Sequence, residues 1–288
     1  MLFYDRSDGK RVRALRSFDA ILPYVIRKRN EAAVLFSKDV DVEAAMVYAR
    51  SKNAEGIPKT ERGRYSLFGV LVAAVVRTMA LKPRLNRFVH RHGVYQRSGI
   101  AISFIVKKSF TEAASEGHAK IRLRPEDGIA EVMEKISAGI ETARLGESSP
   151  DDREYGLAHS LPFGKAIITA VFRILDRFNI APPSMVEADP LFTSVYIANL
   201  GSIGLDTPYH HLYEWGSASV FMVVGRIFQK ETRRGAGTEL RHFVNVKFTI
   251  DERIAEGIYF AHAMALFQKL VVKPELLEAS PDLSEVEE

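Results

Sequence analysis

The sequence predicts an α/β fold in which helices cover a mixed sheet. Helical and strand-like segments alternate early in the chain, strand-like segments cluster late, and a helical segment closes it. Such an order is typical of a mixed sheet with helices packed on its faces. The chain has 288 residues, of which 47% are hydrophobic, so it can bury a large core. We expect a single domain over residues 1–279, followed by an acidic tail at 280–288.

The first predicted elements lead to a long apolar helix. They are a short helix at 18–29, interrupted or begun near Pro23, a strand at 33–42, a helix at 43–52 and the apolar helix at 67–81. A polar loop that contains glycine separates the last two helices. Ser66 is placed to cap the apolar helix, which ends at Lys82-Pro83 because proline cannot continue it.

The remaining predicted elements alternate and then turn to strands. They are strands at 93–98, 100–109 and 118–124, helices at 128–145 and 162–178, strands at 192–200, 217–229 and 240–250, and a closing helix at 254–272. Helical spacing of apolar residues predicts the helix at 128–145, which ends at Gly146. The sequence RRGAG at 233–237 indicates a hairpin turn between the last two strands.

Composition excludes several kinds of site. The chain has no cysteine, which excludes disulfides, zinc–thiolate sites, iron–sulfur clusters and thiol nucleophiles, and which suits a reducing cytoplasm. The longest apolar run, at 67–76, is far shorter than the roughly 20 residues needed to span a bilayer. The first residues have no apolar core of signal-peptide length. We therefore expect a cytoplasmic protein.

Net charge is +4 and unevenly spread. The start of the chain is basic, with Lys10, Arg11, Arg13, Arg16, Arg27, Lys28 and Arg29. A basic surface attracts phosphate-bearing partners, whereas a solvated helix face has the same composition. We expect no nucleic-acid partner, because no recognition helix or stacking aromatic motif accompanies the charge.

Common catalytic signatures are absent, and two histidine pairs remain. The chain has no phosphate-binding loop, no G-x-G-x-x-G before a helix, no H-E-x-x-H and no G-x-S-x-G. His90 and His92 would share one face of a strand, but no third ligand is apparent, so we expect no metal site. His210 and His211 would point to opposite faces of a strand, and an inward histidine there is structural or catalytic.

An ordered set of short motifs carries a family resemblance. The motifs are YIANLGSIGLD (196–206), SVFMVVGRI (219–227), DERIAEG (251–257) and KPELL (273–277), preceded by PYVIRKRN (23–30), KDVDVEAAMVYAR (38–50) and LKPRLNRF (81–88). Together they resemble the catalytic domain of the dihydrolipoyl acyltransferases of 2-oxo acid dehydrogenase complexes, which shares the fold of chloramphenicol acetyltransferase. The resemblance covers nearly the whole chain, with an inserted segment at about 147–190. It implies a chloramphenicol-acetyltransferase-like mixed sheet, and a homotrimer with clefts between subunits.

Three positions depart from the family pattern, and all three concern the chemistry. The family's general-base histidine aligns with Glu252, its aspartate before the final glycine with Glu256, and its oxyanion-binding serine with Ala198. Positions that match the family pattern and shape its turns are Asn199, Gly201, Gly204, Asp251, Arg253 and Gly257. From the departing and the matching positions together, we assign substrate binding to Ala198, Asn199, Gly201, Asp251, Arg253 and Glu256.

The resemblance therefore implies an acyltransferase with a reassigned catalytic group. Glu252 would need burial to become a usable base, and His210 or His211 could reach the same channel. We expect no tightly bound cofactor, and a donor that arrives separately as a coenzyme A thioester or on an acyl-carrier protein. The alternative is a catalytically silent homologue that acts as a scaffold or assembly subunit. In that case Asp251 and Arg253 form a structural ion pair, and Glu252 and Glu256 are surface charges at a helix N-terminus.

The helix at 162–178 is apolar over more than half its circumference. Such a helix packs on the sheet or on a neighbouring subunit. The alternative is a lid or a peripheral membrane-surface helix that serves an apolar acyl substrate.

Overall fold

The predicted α/β architecture is confirmed by a computed structural model. It describes residues 5–56, 62–107, 116–145, 163–235, 237–284 and 286. The strands are β1 (Gly9–Arg11), β2 (Ala33–Asp41), β3 (Arg87–His90), β4 (Gly93–Arg97), β5 (Ile100–Lys107), β6 (Glu116–Leu123), β7 (Val195–Asn199), β8 (Val220–Arg234) and β9 (Gly237–Asp251). The helices are α1 (Ser17–Val25), α2 (Glu43–Ala54), α3 (Leu67–Leu81), α4 (Ile129–Leu145), α5 (Gly164–Arg177), α6 (Pro183–Ala188) and α7 (Gly257–Val272).

A six-stranded mixed sheet forms the centre of the domain. Its strand order is β2-β9-β8-β7-β5-β6. β7 runs parallel to both of its neighbours, and the other pairs are antiparallel. The hairpin predicted at 233–237 joins β8 to β9, with Arg234 paired to Gly237.

A second, three-stranded antiparallel sheet in the order β1-β4-β3 was not predicted. β1 and β3 have only 3 and 4 residues, too few to show the alternation that identifies a strand. The turn between β3 and β4 uses Arg91, whose φ of 55° lies in the left-handed region.

The main core lies between the sheet and α3, α4 and α7. Every residue of α3 from Gly69 to Ala80 is buried, which explains its continuous apolar run. The predicted cap is present, since the Ser66 side chain accepts a hydrogen bond from the Gly69 N–H at 3.1 Å. Alternate residues of β7 and β8, such as Ile197 and Met222, point into this core and are fully buried.

The opposite face of the sheet carries an aromatic cluster. Tyr196, Phe221 and Val223 are buried there together with Leu212. Residues 205–216, which lie over this face, contain no strand. The prediction that His210 and His211 lie in a strand is therefore wrong. The backbone there bonds to other parts of the chain instead, as in the Leu212 N–H to the Asn30 side chain at 3.0 Å.

Several element boundaries differ from the prediction. β7 begins at Val195 rather than 192, and α7 begins at Gly257 after a short 3-10 turn at Glu252–Ile254. α1 includes Pro23 near its end. Gly146 and residues 147–162 of the inserted segment lie outside the described residues. Within the part of the chain that the structure describes, no helix combines the length and apolar character needed to cross a bilayer.

Candidate functional site

The turn after β9 is built on a buried ion pair. The Arg253 guanidinium donates to both carboxylate oxygens of Asp251, at 2.8 and 2.6 Å. It also donates to the carbonyl oxygens of Ile26 and Arg27, at 3.0 and 3.2 Å. The side chains of Asp251 and Arg253 are 0% and 2% exposed. The pair therefore ties the end of β9 to the segment after α1, as expected for a structural ion pair.

Arg29 extends this buried network toward residues 213–216. Its Nε lies 3.9 Å from a carboxylate oxygen of Asp251. Its guanidinium donates to the carbonyl oxygens of Tyr213 and Gly216. Burial lowers the pKa of Arg29 in spite of the nearby Asp251 carboxylate. The network thus couples the turn at Asp251 to the irregular segment over the aromatic face.

The two glutamates of the turn have different surroundings. Glu252 is exposed, and its backbone N–H donates to the Ala32 carbonyl at 2.9 Å. The Glu256 carboxylate accepts hydrogen bonds from Arg16 and Arg84. The hydrogen bond from Arg16 lowers the pKa of Glu256, which makes this carboxylate a weaker base. The burial that would tune Glu252 as a base is absent within the single chain.

Turn geometry after β7 explains two of the matching glycines. A Cβ on Gly201 would lie 2.3 Å from the carbonyl oxygen of Gly225, so only glycine fits there. Gly204 has a φ of 77°, in the region that favours glycine. Gly257 is different, because a Cβ there would meet no atom within 4 Å. The expectation that Gly257 shapes the turn is therefore not supported by its surroundings.

One chain does not bring Ala198 and the Asp251 turn together. Ala198 pairs with Val223, and Val223 pairs with Lys247. Asp251 follows Lys247 by four residues, about 14 Å along β9, and β9 lies about 10 Å from β7. Ala198 and Asp251 are thus about 17 Å apart, too far to contact one reacting carbonyl group.

His210 lies on the aromatic face instead. Its ring stacks on Phe221, with 3.9 Å between ring centroids and 7° between planes. Its backbone carbonyl accepts a hydrogen bond from the Thr249 hydroxyl at 2.5 Å. By sheet spacing the Cα atoms of Phe221 and Ala198 are about 8 Å apart. His210 and Ala198 therefore occupy the same region of one face, whereas His211 is exposed.

The hydrogen bonding of His210 determines its tautomer. Its Nδ1 lies 2.7 Å from the carbonyl oxygen of His211. A carbonyl can only accept, so Nδ1 carries the proton and Nε2 keeps its lone pair. Burial lowers the pKa of His210, which favours the neutral ring. A neutral imidazole whose Nε2 keeps its lone pair can act as a general base.

Two further polar residues of this face were not singled out from the sequence. The Lys247 ammonium donates to the Thr207 carbonyl at 2.6 Å and lies 4.5 Å from the Tyr209 ring centroid. Thr249 holds the His210 backbone as described above. The sequence pattern that could have identified them is the alternation of β9. It places Lys247, Thr249 and Asp251 on one face of the strand at a period of two.

The other histidine pair does not form a joint site. His90 ends β3, and its Nδ1 lies 3.6 Å from the Asp176 carboxylate. His92 stacks on Tyr24, with ring centroids 4.4 Å apart. Across the described ranges, histidine, aspartate and glutamate side chains do not gather in threes or more as a metal ion would require.

Comparisons with known proteins identify the fold. No protein-family model and no curated protein matches the sequence. Solved structures do match. A probable dihydrolipoamide acetyltransferase from Listeria monocytogenes 4b F2365 is 16% identical, with a TM-score of 0.58 over 92% of this chain and 95% of that one.

Two further solved structures agree. The cubic core of the pyruvate dehydrogenase multienzyme complex is 12% identical, with a TM-score of 0.61 over 93% of this chain and 94% of that one. Chloramphenicol acetyltransferase is 15% identical, with a TM-score of 0.50 over 92% and 96%. The chain therefore has the chloramphenicol-acetyltransferase-like fold of dihydrolipoamide acetyltransferase catalytic cores, as its ordered motifs predicted.

Proposed function

We propose that this protein is an acyltransferase in which His210 is the general base. The sequence left Glu252, His210 and His211 as candidates. The observation that carries the choice is the geometry of His210. Its Nδ1 is bound to a carbonyl at 2.7 Å, its ring is stacked on Phe221, and its pKa is lowered by burial.

The proposed reaction moves an acyl group from a thioester to a thiol or hydroxyl. Nε2 of His210 takes the acceptor's proton while the acceptor's sulfur or oxygen attacks the thioester carbonyl carbon. The tetrahedral intermediate expels the donor thiolate, which takes the proton back from the imidazolium. A free imidazole has a pKa of ~6.5, and burial lowers the pKa of His210. The ring is therefore neutral and can accept a proton, although it is a weaker base toward a thiol near ~8.5 than a free imidazole is. The donor we propose is a coenzyme A thioester or an acyl-carrier protein.

The side chain at position 198 limits the expected rate. Ala198 has no hydroxyl to donate to the oxyanion of the intermediate. Loss of one such donor costs about 100- to 1,000-fold in rate. We therefore expect turnover to be slow, so the activity assay must be sensitive enough to measure a low rate.

We propose that the complete site lies between subunits of a homo-oligomer, a trimer or a larger assembly. One structural relative is itself an assembled cubic core. The separation of about 17 Å between Ala198 and the Asp251 turn supports a cleft shared by two chains. In such a cleft Ala198 and His210 of one subunit would face the partner subunit's Glu252.

Thiol release from acyl-coenzyme A across a range of chain lengths tests the choice of base. We expect His210→Gln to lose about 100-fold or more in rate, while His211→Gln and Glu252→Gln stay within about threefold. His262→Gln is the matched control, because His262 is an exposed histidine on α7. Equal activity of His210→Gln and the control would remove His210 from the mechanism.

The scaffold alternative has its own support. Ala198 lacks a hydroxyl, Glu252 is exposed, and Glu256 is engaged by two arginines. A flat result for every donor, together with large assemblies in light scattering, would favour a structural subunit.

A further inference from the structure

A cavity of about 340 Å³ lies between α5, the turn after β3 and Trp215. We call it the α5 pocket and define it by Arg91, Phe172, Arg173, Arg177, Phe192 and Trp215. It is built from the inserted helix and the small sheet rather than from the aromatic face that carries His210. Its volume is at the lower end of the range for small-molecule sites.

One wall of the α5 pocket is aromatic and held in place. The Trp215 indole N–H donates to the Asp189 carboxylate at 2.5 Å. The rings of Phe172 and Trp215 lie 5.1 Å apart, and those of Phe172 and Phe192 lie 5.8 Å apart. Phe172 and Phe192 are 5% and 2% exposed. The wall is therefore formed before any ligand arrives, and the indole N–H is already used.

The remaining wall is cationic. The Arg173 guanidinium lies 5.7 Å from the Trp215 ring centroid. Arg91, whose left-handed backbone projects it from the turn, donates to the Arg177 carbonyl at 3.3 Å. All three arginines are exposed, so their guanidinium groups can reorient toward a ligand.

The acidic residue that lines the cavity is paired with a buried arginine. Asp176 is the one acid among the described residues that line the cavity. Its carboxylate lies 2.8 Å from the guanidinium of Arg6, whose side chain is 3% exposed. Arg6 also pairs with Asp8 at 2.9 Å, and Asp8 lies 3.5 Å from Arg97. Two buried cations thus balance the two carboxylates, and the three arginines give the pocket a positive potential.

We propose that the α5 pocket binds a small anion that carries a planar aromatic or heteroaromatic ring. The ring would pack against Trp215, whose indole lies against the buried ring of Phe172, and its carboxylate or phosphate would be held by Arg173 and Arg177. Guanidinium groups bind such oxygens in a bidentate manner, and aromatic rings prefer offset or edge-to-face contact with other rings. The inference is independent of acyl transfer, because it concerns binding alone.

Trp215 is the single tryptophan of the chain, so its fluorescence reports on the α5 pocket. The probes are benzoate and benzamide, adenosine 5′-phosphate and adenosine, and inorganic phosphate. We expect saturable fluorescence changes with benzoate or adenosine 5′-phosphate. The uncharged counterpart, benzamide or adenosine, should bind about tenfold or more weakly. Preference for the phosphate or the carboxylate probe would identify the anion.

Substitutions test the cationic wall and the aromatic wall of the α5 pocket separately. Replacing both Arg173 and Arg177 by Gln should weaken binding about tenfold or more, while Arg144→Gln, an exposed arginine on α4, should change nothing. Trp215→Phe should abolish the fluorescence signal but retain binding in calorimetry, because an aromatic wall remains. Circular dichroism confirms that each variant folds.

Three results would overturn the inference. The first is the absence of saturable binding by any charged ring probe up to about 10 mM, a weak-affinity limit. The second is equal affinity for the charged and uncharged probes, which removes the role of the arginines. The third is that inorganic phosphate alone binds as tightly as adenosine 5′-phosphate, which removes the role of the ring.

Discussion

The buried Asp251–Arg253 pair should make Arg253→Met one of the more destabilising substitutions in this chain. The substitution keeps a long side chain but removes the guanidinium. Among the described residues, Asp251, with 0% side-chain exposure, would then keep only Arg29 as a nearby cation, at 3.9 Å. The carbonyl groups of Ile26 and Arg27 would each lose a donor.

The magnitude follows from the charge that is left behind. Removing one partner of a buried ion pair costs about 3–5 kcal/mol, because the other charge stays buried without compensation. Arg29 offsets part of this cost, so we expect about 3 kcal/mol. The free energy of unfolding should be measured by urea titration at one protomer concentration, since assembly shifts apparent stability.

Arg226→Met is the matched control. Arg226 also binds an aspartate through two nitrogens, at 2.9 and 3.4 Å from Asp206, but these side chains are 59% and 78% exposed. An exposed pair contributes about 0–1 kcal/mol. If Arg253→Met costs no more than Arg226→Met, the turn is not held by the buried pair and the reasoning is refuted.

Three other predictions concern different parts of the fold. Gly201→Ala should lower the free energy of unfolding by about 1–3 kcal/mol, because the added methyl group overpacks against Gly225. Gly257→Ala, where the added methyl group meets no atom within 4 Å, should leave urea unfolding unchanged. Equal effects of the two substitutions would show that the close approach of Gly201 to Gly225 does not limit stability. Burial, aided by Arg6, lowers the pKa of His90 to about 4. The neutral His90 ring therefore carries no penalty above pH ~6.5, and about 2–3 kcal/mol of the free energy of unfolding is lost by pH ~4.5, because the unfolded chain takes up the proton first. His90→Gln should remove this part of the acid sensitivity in urea titrations, and an unchanged pH dependence would refute it. If α5 packs on a partner subunit, replacing both Ile167 and Ile174 by Glu should lower the size of the assembly in sedimentation. If the assembly is unchanged and the wild type floats with anionic vesicles, the membrane alternative is favoured.

Local patterns were sufficient for most elements of the fold. The continuous apolar run of α3 and its Ser66 cap are both local features, and both predictions are confirmed. The alternation in β9 likewise predicted a strand. The ordered turn motifs then identified the fold itself, because Gly201 and Gly204 are required by backbone geometry that this fold imposes.

The irregular segment over the aromatic face was not predictable in the same way. The residues YHHLYEWG at 209–216 have strand-like composition, but their backbone groups bond to distant residues. The Ser217 N–H donates to the Leu191 carbonyl at 2.9 Å, and Asn30 and Arg29 hold Leu212 and Gly216. Tertiary contacts of this kind override local propensity.

The candidate site and the α5 pocket depend on contacts between residues far apart in the chain. The ion pair of Arg6 with Asp176 joins positions 170 residues apart, and no spacing rule reveals it. The stacking of His210 on Phe221 is equally non-local. The sequence named His210 as a candidate beside Glu252 and His211, and only the structure supplied a reason to prefer it to Glu252.

An experimental structure with an unreactive ketone analogue of acyl-coenzyme A, in which a methylene group separates the sulfur from the carbonyl, would test the central claim most directly. The account predicts the analogue in a cleft between two subunits, with its carbonyl carbon about 3–5 Å from Nε2 of His210 and close to Ala198. An analogue bound more than about 8 Å from His210, beyond the reach of one bridging water, would contradict it.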